Sequence, residues 1–115
     1  MMFRLIPLAI VFSLLSFSSH AVFYSGNDIL DRCSSDERND NHFQINAFCM
    51  GYLVGVYDSY EGITICPENN AKNITIGQLQ LISVKYMREH PEKLNGPAID
   101  LIEQGLNQAF PCKNK

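Results

Sequence analysis

Apolar residues recur at intervals of three or four along most of the chain, which is the period of an amphipathic α-helix. The pattern predicts helices over about residues 28–33, 42–61, 76–90 and 97–110. Only residues 62–66 carry a strand signal, and it is weak. We therefore predict an all-α fold, a small disulfide-stapled bundle of four to five helices.

Capping and breaking residues stand where the periodic segments begin and end. The predicted starts are marked by Asn27, by Asn41 with Gln44, by Thr75 with Gln78, and by Pro97. The second and third of these starts have the spacing of a capping box, in which two side chains satisfy free N–H groups reciprocally. Gly62 is expected to end the second helix, and Pro91 the third.

Glycines interrupt two of the predicted helices. Gly51 and Gly55 lie on one face of the second helix, and each costs about 1 kcal/mol relative to alanine. Because two glycines with this cost share one face, we predict that another helix packs closely against that face. We expect Gly105, in the last helix, to loosen that helix slightly. The stripe predicted to be buried in the second helix consists of Ile45, Phe48, Cys49, Tyr52 and Val56.

The N-terminus has the pattern of a secretory signal peptide. Arg4 precedes an apolar run over residues 5–17, and the small residues Ser19 and Ala21 suit positions −3 and −1 of a cleavage site. The alternative is a membrane anchor, but the run falls short of the roughly 20 residues that a spanning helix needs. We therefore predict a signal peptide over residues 1–21 and one soluble, exported domain over residues 22–115.

The cysteines Cys33, Cys49, Cys66 and Cys112 all follow the predicted signal peptide. An even number of cysteines in an oxidising compartment predicts two disulfides. Zinc binding is disfavoured because no C-x-x-C or H-x-x-x-H pair is present. Antiparallel neighbouring helices would bring Cys112 to Cys66, and a hairpin would bring Cys33 to Cys49, so we predict these two pairs.

Charge and residue content limit the function. The chain has 9 Lys+Arg against 12 Asp+Glu, a net charge of −3. This balance argues against nucleic acid as the partner, because phosphate binding needs a basic face. With the thiols in disulfides, His42 and His90 are the remaining histidines of the mature chain, and neither stands beside a nucleophile in a known catalytic motif. The sequence predicts neither catalysis nor a metal or cofactor.

Two features suit protein binding. A charged turn stiffened by proline follows the third predicted helix, and a rigid loop loses little entropy on binding. Tyr57 and Tyr60 fall outside the main stripe of the second helix, and tyrosine is favoured at protein interfaces. The candidate partner-binding residues are Glu89, His90, Pro91, Glu92, Lys93, Asn95, Tyr57 and Tyr60.

An ordered set of short motifs extends over residues 25–112. It comprises Ser25-Gly26-Asn27-Asp28-Ile29-Leu30, Cys49-Met50-Gly51-Tyr52-Leu53-Val54-Gly55-Val56-Tyr57-Asp58, Ile65-Cys66-Pro67, Thr75-Ile76-Gly77-Gln78-Leu79, Tyr86-Met87, His90-Pro91-Glu92, Pro97-Ala98 and Ala109-Phe110-Pro111-Cys112. With these motifs the chain resembles the Rap/Tai-type immunity proteins of bacterial type VI secretion systems. The loop at residues 68–73 is longer and more polar than this resemblance leads us to expect, and Gly105 stands where alanine is expected.

The resemblance implies a periplasmic protein that binds a peptidoglycan amidase effector and blocks its active-site cleft. It also implies a homodimer, for which the face with Tyr57 and Tyr60 is available. The alternative is a small disulfide-linked periplasmic chaperone or envelope-stress protein. Such chaperones expose apolar surface in acid, and two histidines provide little response to pH.

Overall fold

The computed structural model describes residues 23–67 and 74–113. The predicted signal peptide, residues 1–21, and the polar loop 68–73 lie outside these ranges. The described residues form a helical bundle with two disulfides and no strand, which confirms the predicted fold class. Its elements are α1 (Gly26–Cys33), α2 (His42–Tyr60), α3 (Ile76–Glu89), a 3₁₀ turn (Pro91–Lys93) and α4 (Ala98–Ala109).

The first helix begins earlier than predicted, and Ser25 caps it in place of Asn27. The Ser25 hydroxyl accepts from the backbone N–H of Asp28, and the Asp28 carboxylate accepts from the backbone N–H of Ser25. The Ser25 hydroxyl also donates to the Asp28 carboxylate at 2.9 Å. The two bonds that the carboxylate accepts lower the pKa of Asp28, the one from the backbone N–H more than the one from the hydroxyl. Asn27 lies inside the first turn of the helix, and its own N–H donates to the carbonyl of Leu94.

The other predicted helix ends are partly confirmed. Thr75 and Gln78 form the predicted capping box at the start of α3. The capping box predicted for Asn41 and Gln44 is wrong, because Asn41 has φ −98° and ψ 10° and makes no side-chain capping bond. An N-cap that accepts from the next turn normally has extended backbone angles. Gly62, with φ of 78°, follows the end of α2 as predicted.

The core collects residues from all four helices and from the segment after α2. Its fully buried apolar members are Ile29, Cys49, Leu53, Ile65, Met87, Ala98, Ile102 and Leu106. The predicted stripe of α2 is correct for Cys49 and Val56. The other predicted members, Ile45, Phe48 and Tyr52, are only half-buried, and Leu53, which was not predicted, is buried. Helix α2 is apolar around most of its circumference, so spacing alone does not define its buried face.

The close helix contact forms at a different glycine from those predicted. A Cβ at Gly51 or Gly55 would meet nothing within 4 Å, so the prediction that these residues lie against another helix is wrong. A Cβ at Gly105 would lie 2.8 Å from the Cβ of Tyr86. Helices α3 and α4 therefore approach closely at Gly105, where a larger residue would meet Tyr86.

Both predicted disulfides are confirmed. Cys33 at the end of α1 is bonded to Cys49 in α2, with the Cα atoms 5.1 Å apart. Cys66 is bonded to Cys112 beyond the end of α4, with the Cα atoms 4.7 Å apart. In the described part of the chain, no helix is long and apolar enough to cross a membrane. The same residues contain no cluster of histidine, cysteine or carboxylate side chains that could hold a metal ion.

Candidate functional site

The segment between α3 and α4 folds into a compact turn, residues 90–96. His90 caps the end of α3, and Pro91–Lys93 form the 3₁₀ turn. The N–H of Lys93 donates to the carbonyl of His90 at 3.0 Å, and the N–H of Gly96 donates to the carbonyl of Lys93 at 2.9 Å. These local bonds and the proline limit the conformations that the 90–96 turn can adopt.

The first residues of α1 also bind the 90–96 turn through hydrogen bonds. The first N–H groups of a helix have no partner within the helix. Here the N–H of Gly26 donates to Gly96 and that of Asn27 to Leu94, each at 3.0 Å. The Asn27 side-chain amide also donates to the Asn95 side chain at 3.1 Å. Glycine suits position 26, because a Cβ there would lie 3.1 Å from the backbone of Leu94 and would also meet the end of the Leu101 side chain.

Tyr86, in α3, contacts two residues of the 90–96 turn. Its ring stacks on His90 with centroids 4.1 Å apart, and its backbone carbonyl is 2.8 Å from His90 Nδ1. A carbonyl can only accept, so Nδ1 carries the proton in this contact. The Tyr86 hydroxyl donates to Gln104 at 2.9 Å and accepts from the Lys93 amine at 3.2 Å. The Lys93 amine also donates to Gln104 at 3.3 Å.

The structure brings six of the predicted partner-binding residues together on this turn and the end of α3. Pro91, Glu92, Lys93 and Asn95 are exposed, while His90 is half-buried. Glu89, the last residue of α3, is exposed and lies 3.9 Å from Lys85 in a surface ion pair. The result is a rigid, polar projection whose backbone is held by the rest of the fold.

The two predicted tyrosines lie elsewhere, near the end of α2. Tyr57 and Tyr60 are half-buried and pack against the core. Burial raises the pKa of Tyr57, with a further contribution from the Glu61 carboxylate. Within residues 23–67 and 74–113, no hydrogen bond or ring contact links either tyrosine to the 90–96 turn.

An aromatic cluster that the sequence analysis missed packs against the middle of α2. The ring of Tyr24 meets Phe48 and Tyr52 edge-on, at 5.3 and 5.9 Å between centroids. The guanidinium of Arg32 lies 4.5 Å from the centroid of Phe48. Burial raises the pKa of Tyr52, with smaller contributions from Tyr24 and from the carboxylate of Asp100. The four-residue spacing of Phe48 and Tyr52 could have indicated their contact, but the sequence held no signal for Tyr24 and Arg32, which come from other segments.

The supports of the 90–96 turn were also missed. Tyr86 precedes His90 by four residues, a spacing that places two helical side chains side by side and could have indicated their contact. Gln104 and Asn27 gave no such signal, because their partners are remote in the sequence.

A family model described as Rap1a immunity proteins matches residues 25–112. The chain belongs to the Rap1a immunity protein family. The match includes both disulfides, the aromatic residues Phe48 and Tyr52, and the whole 90–96 turn. It confirms the resemblance to Rap/Tai-type immunity proteins drawn from the sequence. No curated protein sequence matches the chain.

Membership in the Rap1a family indicates the general role of the protein but not its specific target. An immunity protein binds a cognate secreted effector, and the family indicates a non-enzymatic inhibitor. The two disulfides agree with an exported protein, because such bonds persist in oxidising compartments.

Proposed function

We propose that this protein is a periplasmic immunity protein that neutralises a peptidoglycan amidase effector of a type VI secretion system. Inhibition is steric: the 90–96 turn enters or borders the catalytic cleft of the amidase and excludes the peptide stem of its substrate. Export depends on the predicted signal peptide, residues 1–21, and the oxidising periplasm permits both disulfides.

The observation that carries this proposal is an exposed turn that contacts with α1, α3 and α4 hold in place. Three hydrogen bonds from the first residues of α1 and four contacts from α3 and α4 hold residues 90–96. Binding through such a turn avoids the entropy cost of ordering a flexible loop, so more of the contact energy appears as affinity. The net negative charge favours encounter with a basic effector surface.

The proposal is tested by co-purification of the mature chain with the amidase encoded in its genomic neighbourhood, followed by an amidase assay. We expect a stoichiometric complex and loss of peptidoglycan cleavage as the chain is titrated in. If the chain inhibits no such amidase, the immunity proposal fails and the chaperone alternative gains support. That alternative is then checked by assaying suppression of client aggregation in acid.

The 90–96 turn is tested by the double variant His90→Ala, Glu92→Ala. We expect inhibition to weaken tenfold or more, equivalent to about 1.4 kcal/mol of binding free energy. The free energy of unfolding should also fall by about 1 kcal/mol, because the variant loses the hydrogen bond from His90 to the Tyr86 carbonyl. The measurements are amidase activity against inhibitor concentration and urea denaturation.

A matched control separates binding from stability. The Asn107 side chain donates to the Thr64 carbonyl at 2.6 Å, and this hydrogen bond does not involve the 90–96 turn. Asn107→Ala should lose about 1 kcal/mol of stability as well, yet inhibit like the parent. Equal inhibition by His90→Ala, Glu92→Ala and the parent would place the contact surface elsewhere.

We further propose that two copies pair through the face of α2 that carries Tyr57 and Tyr60. Analytical ultracentrifugation of the parent should then give a dimer, and Tyr60→Arg should give a monomer, because a charge would be buried at the interface. Phe43→Arg is the matched control, since Phe43 is 81% exposed at the opposite end of α2. A monomeric parent would exclude the dimer.

A further inference from the structure

A cleft lies beside the 90–96 turn, between that turn and the first two turns of α4. Its volume is about 320 Å³, and Pro97 and the buried Leu101 contribute apolar surface to it. The polar residues that line it are Glu92, Lys93, Asp100 and Gln104. None of the partner-binding residues predicted from the sequence lies on α4, so this cleft extends the proposed binding surface to that helix.

Asp100 lacks the partner that an acidic residue at its helix position ordinarily has. It is the third residue of α4, as Asp28 is the third residue of α1. Asp28 accepts hydrogen bonds from the N–H and hydroxyl of its N-cap, Ser25. The N-cap of α4 is Pro97, which has neither group, so it cannot form this capping box. The carboxylate of Asp100 is exposed and accepts no hydrogen bond within the described ranges.

The second carboxylate of the cleft is also free, and the one cation among the lining residues is engaged. Glu92 is exposed and forms no ion pair with another described residue. The amine of Lys93 donates to the Tyr86 hydroxyl and to Gln104, and forms no ion pair with Glu92 or Asp100. Two carboxylates and one ammonium leave the cleft with a net charge of −1.

The cleft therefore combines apolar surface with two unpaired carboxylates. A lysine or arginine side chain fits this arrangement, because its aliphatic stem packs on apolar surface while its charged end reaches acceptors. Hydrogen bonds between a cationic side chain and a carboxylate are stronger than those between neutral groups, and they also fix the orientation of the partner. A cation entering the cleft would complete the neutralisation that Lys93 begins.

We propose that this cleft receives a lysine or arginine side chain of the bound effector, held between Glu92 and Asp100. The inference rests on the immunity function proposed above and adds the chemistry of the partner surface. It also assigns a binding role to Asp100, which gave no signal in the sequence.

The test uses the effector that co-purifies with the chain and the isosteric double variant Glu92→Gln, Asp100→Asn. We expect the dissociation constant to rise at least tenfold at moderate salt, and the difference from the parent to shrink as salt is added. Asp100→Glu with Glu92 retained should keep most of the affinity, because the charge is preserved. Circular dichroism of each variant confirms that the helical fold is intact.

The matched control is Glu37→Gln, Asp40→Asn, which removes the same charge from two exposed residues of the turn between α1 and α2. It should bind the effector within twofold of the parent. The effect of a lower net charge is then separated from the effect of removing the two cleft carboxylates. Substitution of each effector lysine and arginine by alanine should then identify one position whose loss is not additive with Glu92→Gln, Asp100→Asn.

Three outcomes would overturn the inference. Unchanged binding by Glu92→Gln, Asp100→Asn shows that no cation occupies the cleft. Tighter binding by that variant shows that an acidic effector group meets Lys93 instead. Additive losses at every effector position show that the carboxylates act only through the general field. A parent chain that binds no effector would be a different result, because the proposed function itself would then fail.

Discussion

Replacing Cys66 and Cys112 with alanine is expected to lower the free energy of unfolding by about 4 kcal/mol, according to the chain-entropy model. This disulfide joins residues 46 positions apart, and both cysteines are only half-buried, so little packing is lost with it. Small domains have total stabilities of about 5–15 kcal/mol, so the loss is a large fraction of the whole. Urea denaturation of the mature parent and variant measures it.

The second disulfide is the comparison for this result. Cys33 and Cys49 are 16 positions apart, so the same model gives about 3 kcal/mol for their replacement. Cys49 is fully buried, however, and alanine there adds the cost of lost packing. If the Cys66→Ala, Cys112→Ala variant unfolds at the same urea concentration as the parent, the bond does not constrain the unfolded chain as proposed.

Gly105→Ala is expected to destabilise the protein by about 2 kcal/mol, although alanine is the better helix former. The new Cβ would lie 2.8 Å from Tyr86 Cβ and 2.9 Å from Tyr86 Cγ, closer than carbon atoms pack. The Tyr86 ring cannot move aside cheaply, because it stacks on His90 and bonds to Gln104 and Lys93. Its displacement would disturb the 90–96 turn, so amidase inhibition should weaken together with stability.

Gly51→Ala and Gly55→Ala are the controls, because each is expected to increase stability where Gly105→Ala decreases it. A Cβ at either position meets nothing within 4 Å, so each variant should gain about 1 kcal/mol of stability from helix propensity. Thermal and urea denaturation of the three alanine variants measure the contrast. Destabilisation by Gly55→Ala would show that its face is covered in solution, and a neutral Gly105→Ala would show that α3 and α4 can separate at little cost.

The candidate site was predictable where its signals are local. The turn containing Pro91, Glu92 and Lys93 is marked by charge and proline, and these properties survive in the fold as exposure and rigidity. Its supports were not predictable, because the bonds from Gly26 and Asn27 join segments about 70 residues apart, which no local pattern relates. Asp100 became a candidate binding residue only with the structure. It shows that Pro97 is the N-cap of α4 and that Glu92 lines the same cleft as Asp100.

The sequence by itself determined the helical class, most helix ends and the pairing of the cysteines. These follow from short-range physics: the period of apolar residues, the geometry of caps and prolines, and the order of antiparallel helices. Only the tertiary structure decided which glycine marks a close contact. Gly51, Gly55 and Gly105 share the same local cost, and their difference is the presence or absence of Tyr86 across an interface. Helix α2, apolar on most sides, likewise acquired its buried face from the helices that surround it, because long-range packing has no signature in the spacing of one segment.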